Sequence, residues 1–98
     1  MSYPLVPIPG GTTTTLDITT ATVIKSSAGR VFQISVMGAA GSAVGAIYDS
    51  ISTSGNSAAN QVAVIPEAIG TYPFYAAPTA AGIVVVPPTG STISVSWS

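Results

Sequence analysis

The chain has 98 residues, of which two are basic and three acidic, for a formal net charge of −1, and it contains no histidine or cysteine. These absences exclude the commonest metal ligands, the imidazole base and the thiolate nucleophile. The low charge argues against nucleic acid as a partner, because phosphate binding needs a basic patch. The composition therefore predicts a protein that works through contacts, with no enzymatic activity and no cofactor.

The length fits one domain, and 47% of the residues are hydrophobic, which is enough for a core. Many of these residues are alanine, however, and the large aromatic anchors are few. A core of valine, isoleucine and alanine buries less apolar area per residue than one rich in larger side chains. We therefore expect a marginally stable monomer to which self-association adds stability.

Residues 1–11 are predicted to form an extended arm, and residues 12–98 the folded domain. Prolines at positions 4, 7 and 9 favour extended geometry, and Gly10-Gly11 provides a hinge. A disordered terminus is one interpretation, and an apolar arm that docks on a neighbouring subunit is the other. The second, which we favour, assigns contacts to Tyr3, Leu5, Val6 and Ile8.

Beyond the hinge, short β-prone segments alternate with Gly-, Pro- and Ser-rich turns, and no helix is predicted. The predicted strands are 12–17, 22–25, 30–37, 43–50, 60–65, 71–76, 82–86 and 92–97. Residues 26–29 are predicted to form a turn, in which Gly29 is free to adopt a positive φ. Seven or eight short strands at this spacing indicate an all-β fold, a single small β-sandwich or jelly-roll-like domain.

Three of these strands carry informative patterns. In the 30–37 strand, alternation predicts that Phe32, Ile34 and Val36 face the core. The continuous apolar run 82–86 predicts a strand covered on both faces. Pro73 restricts the 71–76 strand to a sheet edge or a bulge, because proline cannot donate to the ladder.

Residues 31–48 form an uncharged stretch of 18 residues and include the spacing Gly41-x-x-x-Gly45. This length is near the lower limit for a membrane-spanning helix. The polar residues Gln33 and Ser35 and the alternation around them favour a strand instead. We therefore predict no membrane contact, with a small membrane protein as an alternative.

The carboxylates do not predict an active site. Asp17, Asp49 and Glu67 lie far apart in the sequence, each beside a predicted turn or strand end. A pair of acids for glycoside hydrolysis would have to converge, and nothing in this spacing brings them together. We expect solvated side chains at strand ends.

The aromatic segment 71–76 is the best candidate for recognition. Neighbouring residues of a strand face opposite sides, so Phe74 and Tyr75 cannot both enter the same core. Tyrosine is favoured where a protein meets a partner. We therefore assign contacts with another subunit or with a partner protein to Tyr72 and Tyr75, while coverage of both rings within the domain is the alternative.

From Leu16 onward the chain resembles a group of small β-rich proteins encoded among the structural genes of tailed bacteriophages. The segments that carry the resemblance are TATVIKSSAGRVFQISV, AIYDS, NQVAVIPEAIGTYPF and GIVVVPPTGSTISVSW. The resemblance implies a virion component, a capsid decoration (cement) protein or part of a head fibre. Such decoration proteins are small, β-rich and trimeric, and they seal the junctions between capsomers.

We therefore expect a homotrimeric decoration protein, made in the host cytoplasm, that binds the major capsid protein on the outer surface of the head and stabilises the shell. A head- or tail-fibre module that binds host surface glycans is the alternative, and the small membrane protein is a second one. The resemblance supplies no catalytic residues.

Overall fold

The computed structural model describes residues 3–5, 12–38 and 43–98, with the backbone alone for residues 3–5. It is an all-β protein of two antiparallel sheets. The strands are β1 (Tyr3–Leu5), β2 (Thr13–Ile18), β3 (Thr22–Lys25), β4 (Gly29–Gly38), β5 (Gly45–Tyr48), β6 (Gln61–Ile65), β7 (Gly70–Thr79), β8 (Ile83–Val86) and β9 (Thr92–Trp97). One 3-10 turn, Ala58–Asn60, precedes β6. The all-β prediction is confirmed, and each of the eight predicted segments overlaps one of the strands β2 to β9.

The strand pairing follows a nested pattern. Antiparallel pairs join β5 to β6, β4 to β7, β3 to β8 and β2 to β9, as in one long hairpin. Two further pairings, β4 with β9 and β5 with β8, roll this hairpin into two sheets. The sheet orders are β2-β9-β4-β7, to which β1 adds beside β2, and β3-β8-β5-β6. Eight strands rolled in this order form a jelly roll.

The core lies between the sheets and consists of isoleucine and valine. Its members are Ile18, Val31, Ile34, Val36, Ile47, Ile65, Ile83, Val85, Ile93 and Val95, each at most 1% exposed. Branched side chains suit this position because they pack well on a pleated surface. The larger aromatic rings of Tyr72, Phe74 and Trp97 pack against the margin of the core. The indole N–H of Trp97 donates to Thr15 Oγ1 over 2.9 Å, so this buried polar group is satisfied.

The alternation predicted for the 30–37 strand is wrong at its first position. Val31 is fully buried, while Phe32 is only half-buried. Between Val31 and Gln33, β4 contains one more residue than its partner β9, which is a β-bulge. Since an extra residue reverses the side-chain alternation, Val31 and Ile34 both face the core although three positions separate them.

The run 82–86 and Gly29 were also interpreted from the sequence. The run 82–86 does form a strand, β8, in which Ile83, Val84 and Val85 are fully buried. Gly29 does not use its freedom to adopt a positive φ: it is the first residue of β4 and is not among the positive-φ residues. Glycine is needed there for close packing instead, since an added Cβ would lie 2.5 Å from the Ser98 carbonyl oxygen.

The uncharged stretch 31–48 forms strands in its described parts, with β4 covering residues 31–38 and β5 covering residues 45–48. Over residues 3–5, 12–38 and 43–98, the structure has no helix that is long and apolar enough to cross a membrane.

Candidate functional site

Tyr75 is the most exposed large hydrophobic side chain among the described residues, at 88% of its full surface. It lies on β7, the outermost strand of its sheet, as the proline at position 73 predicted. Its neighbour Phe74 packs against the core. The expectation that these two adjacent rings cannot share one core is thus confirmed, and Tyr75 is the ring that faces solvent.

Tyr75 stands on a strained bulge. Val31 and Gln33 of β4 pair with Ala77 and Pro73 of β7, so three residues of β7, 74–76, lie opposite the single residue Phe32. Tyr75 and Ala76 have φ values of 54° and 59°. The left-handed region costs a residue with a Cβ about 1–2 kcal/mol, and such strain concentrates at functional sites. We refer to residues 74–76 as the β7 bulge.

Arg30 supports the bulge from the adjacent strand. Its Nη1 donates a hydrogen bond to the carbonyl oxygen of Ala76 over 3.1 Å. A bulged residue cannot offer its carbonyl to the regular ladder, and the guanidinium takes the place of the missing backbone donor. One of the chain's two basic side chains therefore positions the segment that presents Tyr75.

Tyr72 occupies a different environment from Tyr75. Its ring is half-buried against the core, and its hydroxyl donates to the Ala68 carbonyl oxygen over 2.7 Å. The structure therefore separates the two tyrosines that the sequence grouped together. Tyr75 is available to a partner, whereas Tyr72 fastens the loop before β7.

The predicted arm lies only partly within the described residues. Tyr3 and Leu5 belong to β1, whose backbone pairs with β2 in the register Tyr3 with Leu16 and Leu5 with Thr14. Val6 and Ile8 lie outside the described residues. The contacts assigned to these four side chains remain predictions.

Three further exposed apolar side chains were not found from the sequence. Met37, Val44 and Ile69 are 52%, 55% and 71% exposed. Val36 pairs with Gly70, and Met37 and Ile69 occupy the next position of each strand in this register. Val44 directly precedes β5. An isoleucine between Ala68 and Gly70 in a turn was the available sequence signal, because turns rarely need a large apolar side chain.

The outer face of the five-stranded sheet carries hydroxyl and amide side chains. Neighbouring strands place Thr14 beside Ser96 and Ser35 beside Thr71, and each pair joins its hydroxyl groups by a hydrogen bond, of 3.0 and 3.1 Å. Ser96 also lies beside Gln33 in the register of β9 with β4. These four hydroxyl side chains and Gln33 are polar and uncharged.

Asp49 is more than a solvated residue at a strand end. Its carboxylate accepts hydrogen bonds from the N–H groups of Ala80, Ala81 and Gly82, over 3.0, 2.7 and 3.2 Å. These bonds, with that of Ala80 first, hold the pKa of Asp49 below its ordinary value, although partial desolvation opposes them. The residue is a structural clamp between the loop after β5 and the turn before β8. No group of three carboxylates that could hold a metal ion occurs in the described part of the chain.

Comparison with protein-family models, with curated proteins and with solved structures gives no match for this chain. The functional interpretation therefore depends on the surfaces described above.

Replacement of Ala76 by glycine should stabilise the protein. Glycine adopts a positive φ without steric cost, which removes about 1–2 kcal/mol of strain. Its greater freedom in the unfolded chain lowers the stability by about 0.5–1 kcal/mol. We expect a net gain of about 0.5–1 kcal/mol in the free energy of unfolding, measured with urea. Ala77→Gly is the matched control, because Ala77 is absent from the positive-φ residues and should lose stability. Equal losses in both variants would contradict a strained conformation at Ala76.

Proposed function

We propose that the chain is a structural virion protein, a capsid decoration protein that binds the outer surface of a phage head as a homotrimer. The observation that carries the proposal is Tyr75, 88% exposed on a strained bulge that Arg30 supports. Strain is maintained where it serves a purpose, and tyrosine is enriched in protein interfaces. A bulge that presents an aromatic ring to solvent fits a contact with another protein.

The fold and the surface support the same proposal. Jelly rolls are common in viral capsid and lectin domains, which is an analogy at the level of the fold only. With five charged side chains in 98 residues, copies of the chain repel one another weakly, which suits dense packing on a shell. Binding to the assembled shell alone would stabilise that shell by mass action.

Tyr75→Ala should weaken binding to the shell by at least tenfold without loss of stability. A central interface tyrosine contributes about 2 kcal/mol or more to binding, whereas a ring this exposed contributes little to folding. The assay is cosedimentation of the purified protein with heads that lack it. Ile51→Ala, which truncates another exposed apolar side chain (62% exposed), is the control and should bind normally.

If Tyr75→Ala binds the shell as well as the unmodified protein, the β7 bulge is not part of the interface. Deletion of residues 1–9 in the same assay tests the arm, whose contacts are rejected if the truncated protein binds as well as the full chain. The major capsid protein is the expected partner in both cases.

The purified chain should have the mass of a trimer in detergent-free buffer. The small isoleucine and valine core leaves Met37, Val44 and Ile69 exposed on the described surface, and association would cover part of this apolar area. Light scattering after size-exclusion chromatography measures the mass. A monomer at micromolar concentration would exclude a preformed trimer, so that trimers could form only on the shell.

A fibre module that binds host glycans is the second candidate, and the hydroxyl and amide groups on the outer sheet face favour it. Such groups hydrogen-bond sugar hydroxyls, and Tyr75 would offer a ring on which a sugar could stack. A glycan array distinguishes the two functions. If the protein binds specific glycans and Tyr75→Ala abolishes this binding, the fibre module is supported. If the array shows no binding, the decoration function remains the proposal.

A further inference from the structure

The four-stranded sheet has an open edge at β6. An edge strand presents unpaired N–H and C=O groups that can pair with another chain, and proteins commonly block them with proline, a charged side chain or a bulge. The described sheets have four edge strands, β1, β3, β6 and β7. Three of them are blocked: β1 contains Pro4, β3 has a register shift before its terminal Lys25, and β7 contains Pro73, Pro78 and the β7 bulge. The fourth, β6, contains no proline and no charged residue.

The backbone groups of Val64 point to this open edge. Successive residues of an antiparallel strand direct their N–H and C=O groups alternately to one side and to the other. The N–H of Asp49 donates to the carbonyl oxygen of Asn60 over 2.8 Å, so Asp49 faces the β6 side. Since β5 pairs with β8 without a register shift, alternation back from Asp49 turns Ile47 toward β6 and Ala46 toward β8. Val64 lies opposite Ala46, so its N–H and C=O point away from β5, where no described strand pairs with β6.

The side chain of Val64 is available as well, because it is 48% exposed. Its neighbour Ile65 is fully buried, so alternation directs Val64 to the outer face of the sheet. Regular pairing with β5 covers residues 63–65, because the register shift leaves Val62 without an opposite residue. Pro66, which follows β6, has no N–H to donate. The open edge is therefore a regular, uncharged segment of three residues, 63–65, centred on Val64.

We propose that this segment pairs with the same segment of a second copy of the chain, in antiparallel orientation about a two-fold axis at Val64. The two Val64 residues then exchange a pair of N–H···O bonds, and Ala63 of each copy lies opposite Ile65 of the other. The two Val64 side chains lie side by side on the outer face, and no charge faces another. Such a contact is isologous, because each copy offers the same donors and acceptors and satisfies those of the other.

A second copy fits this edge better than an unrelated extended peptide. A peptide that adds to a sheet edge gains its affinity from a series of main-chain bonds. Here the shift at Val62 and the proline at position 66 limit regular pairing to residues 63–65. A copy brings the matching backbone groups already ordered in a folded domain, so it loses less conformational entropy on binding than a flexible peptide does. The contact remains small, which predicts weak self-association in solution.

The pairing is distinct from the contact that would close a trimer. A two-fold contact uses the same edge of both copies, so it joins them in pairs and cannot by itself build a trimer. In the proposed decoration protein each trimer would offer three such edges to neighbouring trimers on the shell. Tyr75, on the other sheet, would stay available for the capsid. This step rests on the proposed function, whereas the pairing does not.

Sedimentation equilibrium of the purified protein, from micromolar to millimolar concentration, tests the pairing. A monomeric protein should double its mass as the concentration rises, and a trimeric one should form pairs or larger groups of trimers. Val64→Lys should weaken this association about tenfold or more, because two like charges would face each other across the axis. Val23→Lys is the matched control and should associate normally, since Val23 is also an exposed valine (37%) on an edge strand of the same sheet. A mass that does not rise up to millimolar concentration, or an equal effect of both substitutions, would overturn the proposal.

Amide hydrogen exchange of the unmodified protein gives a second measurement, which applies even if Val64→Lys does not fold. The amide of Val64 should exchange more slowly at the concentrations at which the mass rises, and the amides of β3 should not change. Exchange at Val64 that is independent of concentration would reject the pairing.

The starting mass separates the pairing from the proposed function. An increase from the mass of a monomer to that of a dimer would support the pairing and exclude a preformed trimer. A trimer whose mass does not rise would reject the pairing and leave the proposed trimer standing.

Discussion

Gly45→Ala should destabilise the protein by about 3 kcal/mol, the upper part of the usual range for overpacking. Gly45 lies buried in β5, where a Cβ would lie against the Val86 carbonyl oxygen, closer than real Cβ contacts, and 2.8 Å from the Pro88 backbone nitrogen. These are main-chain atoms of the adjacent strand and its extension, so they cannot move aside as a flexible side chain would. The free energy of unfolding in urea measures the effect.

Gly38→Ala is the matched control for this substitution. Gly38 is also a strand residue, at the end of β4, but an added Cβ there meets no atom within 4 Å. Its stability should stay within about 0.5 kcal/mol or rise slightly, because alanine restricts the unfolded chain. Similar losses in the two variants would show that the close approach at Gly45 relaxes freely.

Asp49→Asn should cost about 1–2 kcal/mol at pH 7. Three N–H groups converge on the carboxylate, and bonds to a charged acceptor contribute more than neutral ones, although solvent screens part of this effect. Asparagine keeps one acceptor oxygen but would direct an amide N–H toward the N–H of Ala80 or Ala81. Thermal unfolding and urea titration measure the loss.

The same substitution should remove part of the acid sensitivity of the protein. The pKa of Asp49 is lowered in the folded state, so the carboxylate stabilises the fold above its unfolded pKa of about 4. This stabilisation is lost as the pH falls from about 5 through the folded-state pKa. The difference in stability between the unmodified protein and Asp49→Asn should therefore be constant near neutral pH and shrink toward zero in acid. A difference that does not begin to decrease as the pH falls below about 4 would contradict the clamp.

Much of the fold followed from local patterns. Proline, glycine and serine clusters marked the turns, and β-branched runs marked eight strands that the structure contains. The predicted alternation was wrong at Phe32. The alternation rule assumes an unbroken register, but β4 has a bulge between Val31 and Gln33 where it pairs with β9. No residue type at positions 31–33 signals that bulge.

The candidate site was predictable only in part. Adjacent rings at positions 74 and 75 had to face opposite sides, but only the packing of Phe74 against the core showed which ring remains exposed. The strain at Tyr75 and Ala76 was not visible in the sequence, since neither residue type favours a positive φ. The support from Arg30 links positions 46 residues apart, and pairing of β4 with β7 brings them together.

The sequence by itself determined the class of fold and the absence of histidine and cysteine chemistry, because composition, β-propensity and turn residues act locally. Tertiary structure alone decided the nested strand order, the exposed Tyr75 and the Asp49 clamp. Each of these depends on contacts between residues distant in sequence or on opposite sheets. Such contacts are fixed by how the two sheets pack around the shared isoleucine and valine core, which no local pattern encodes.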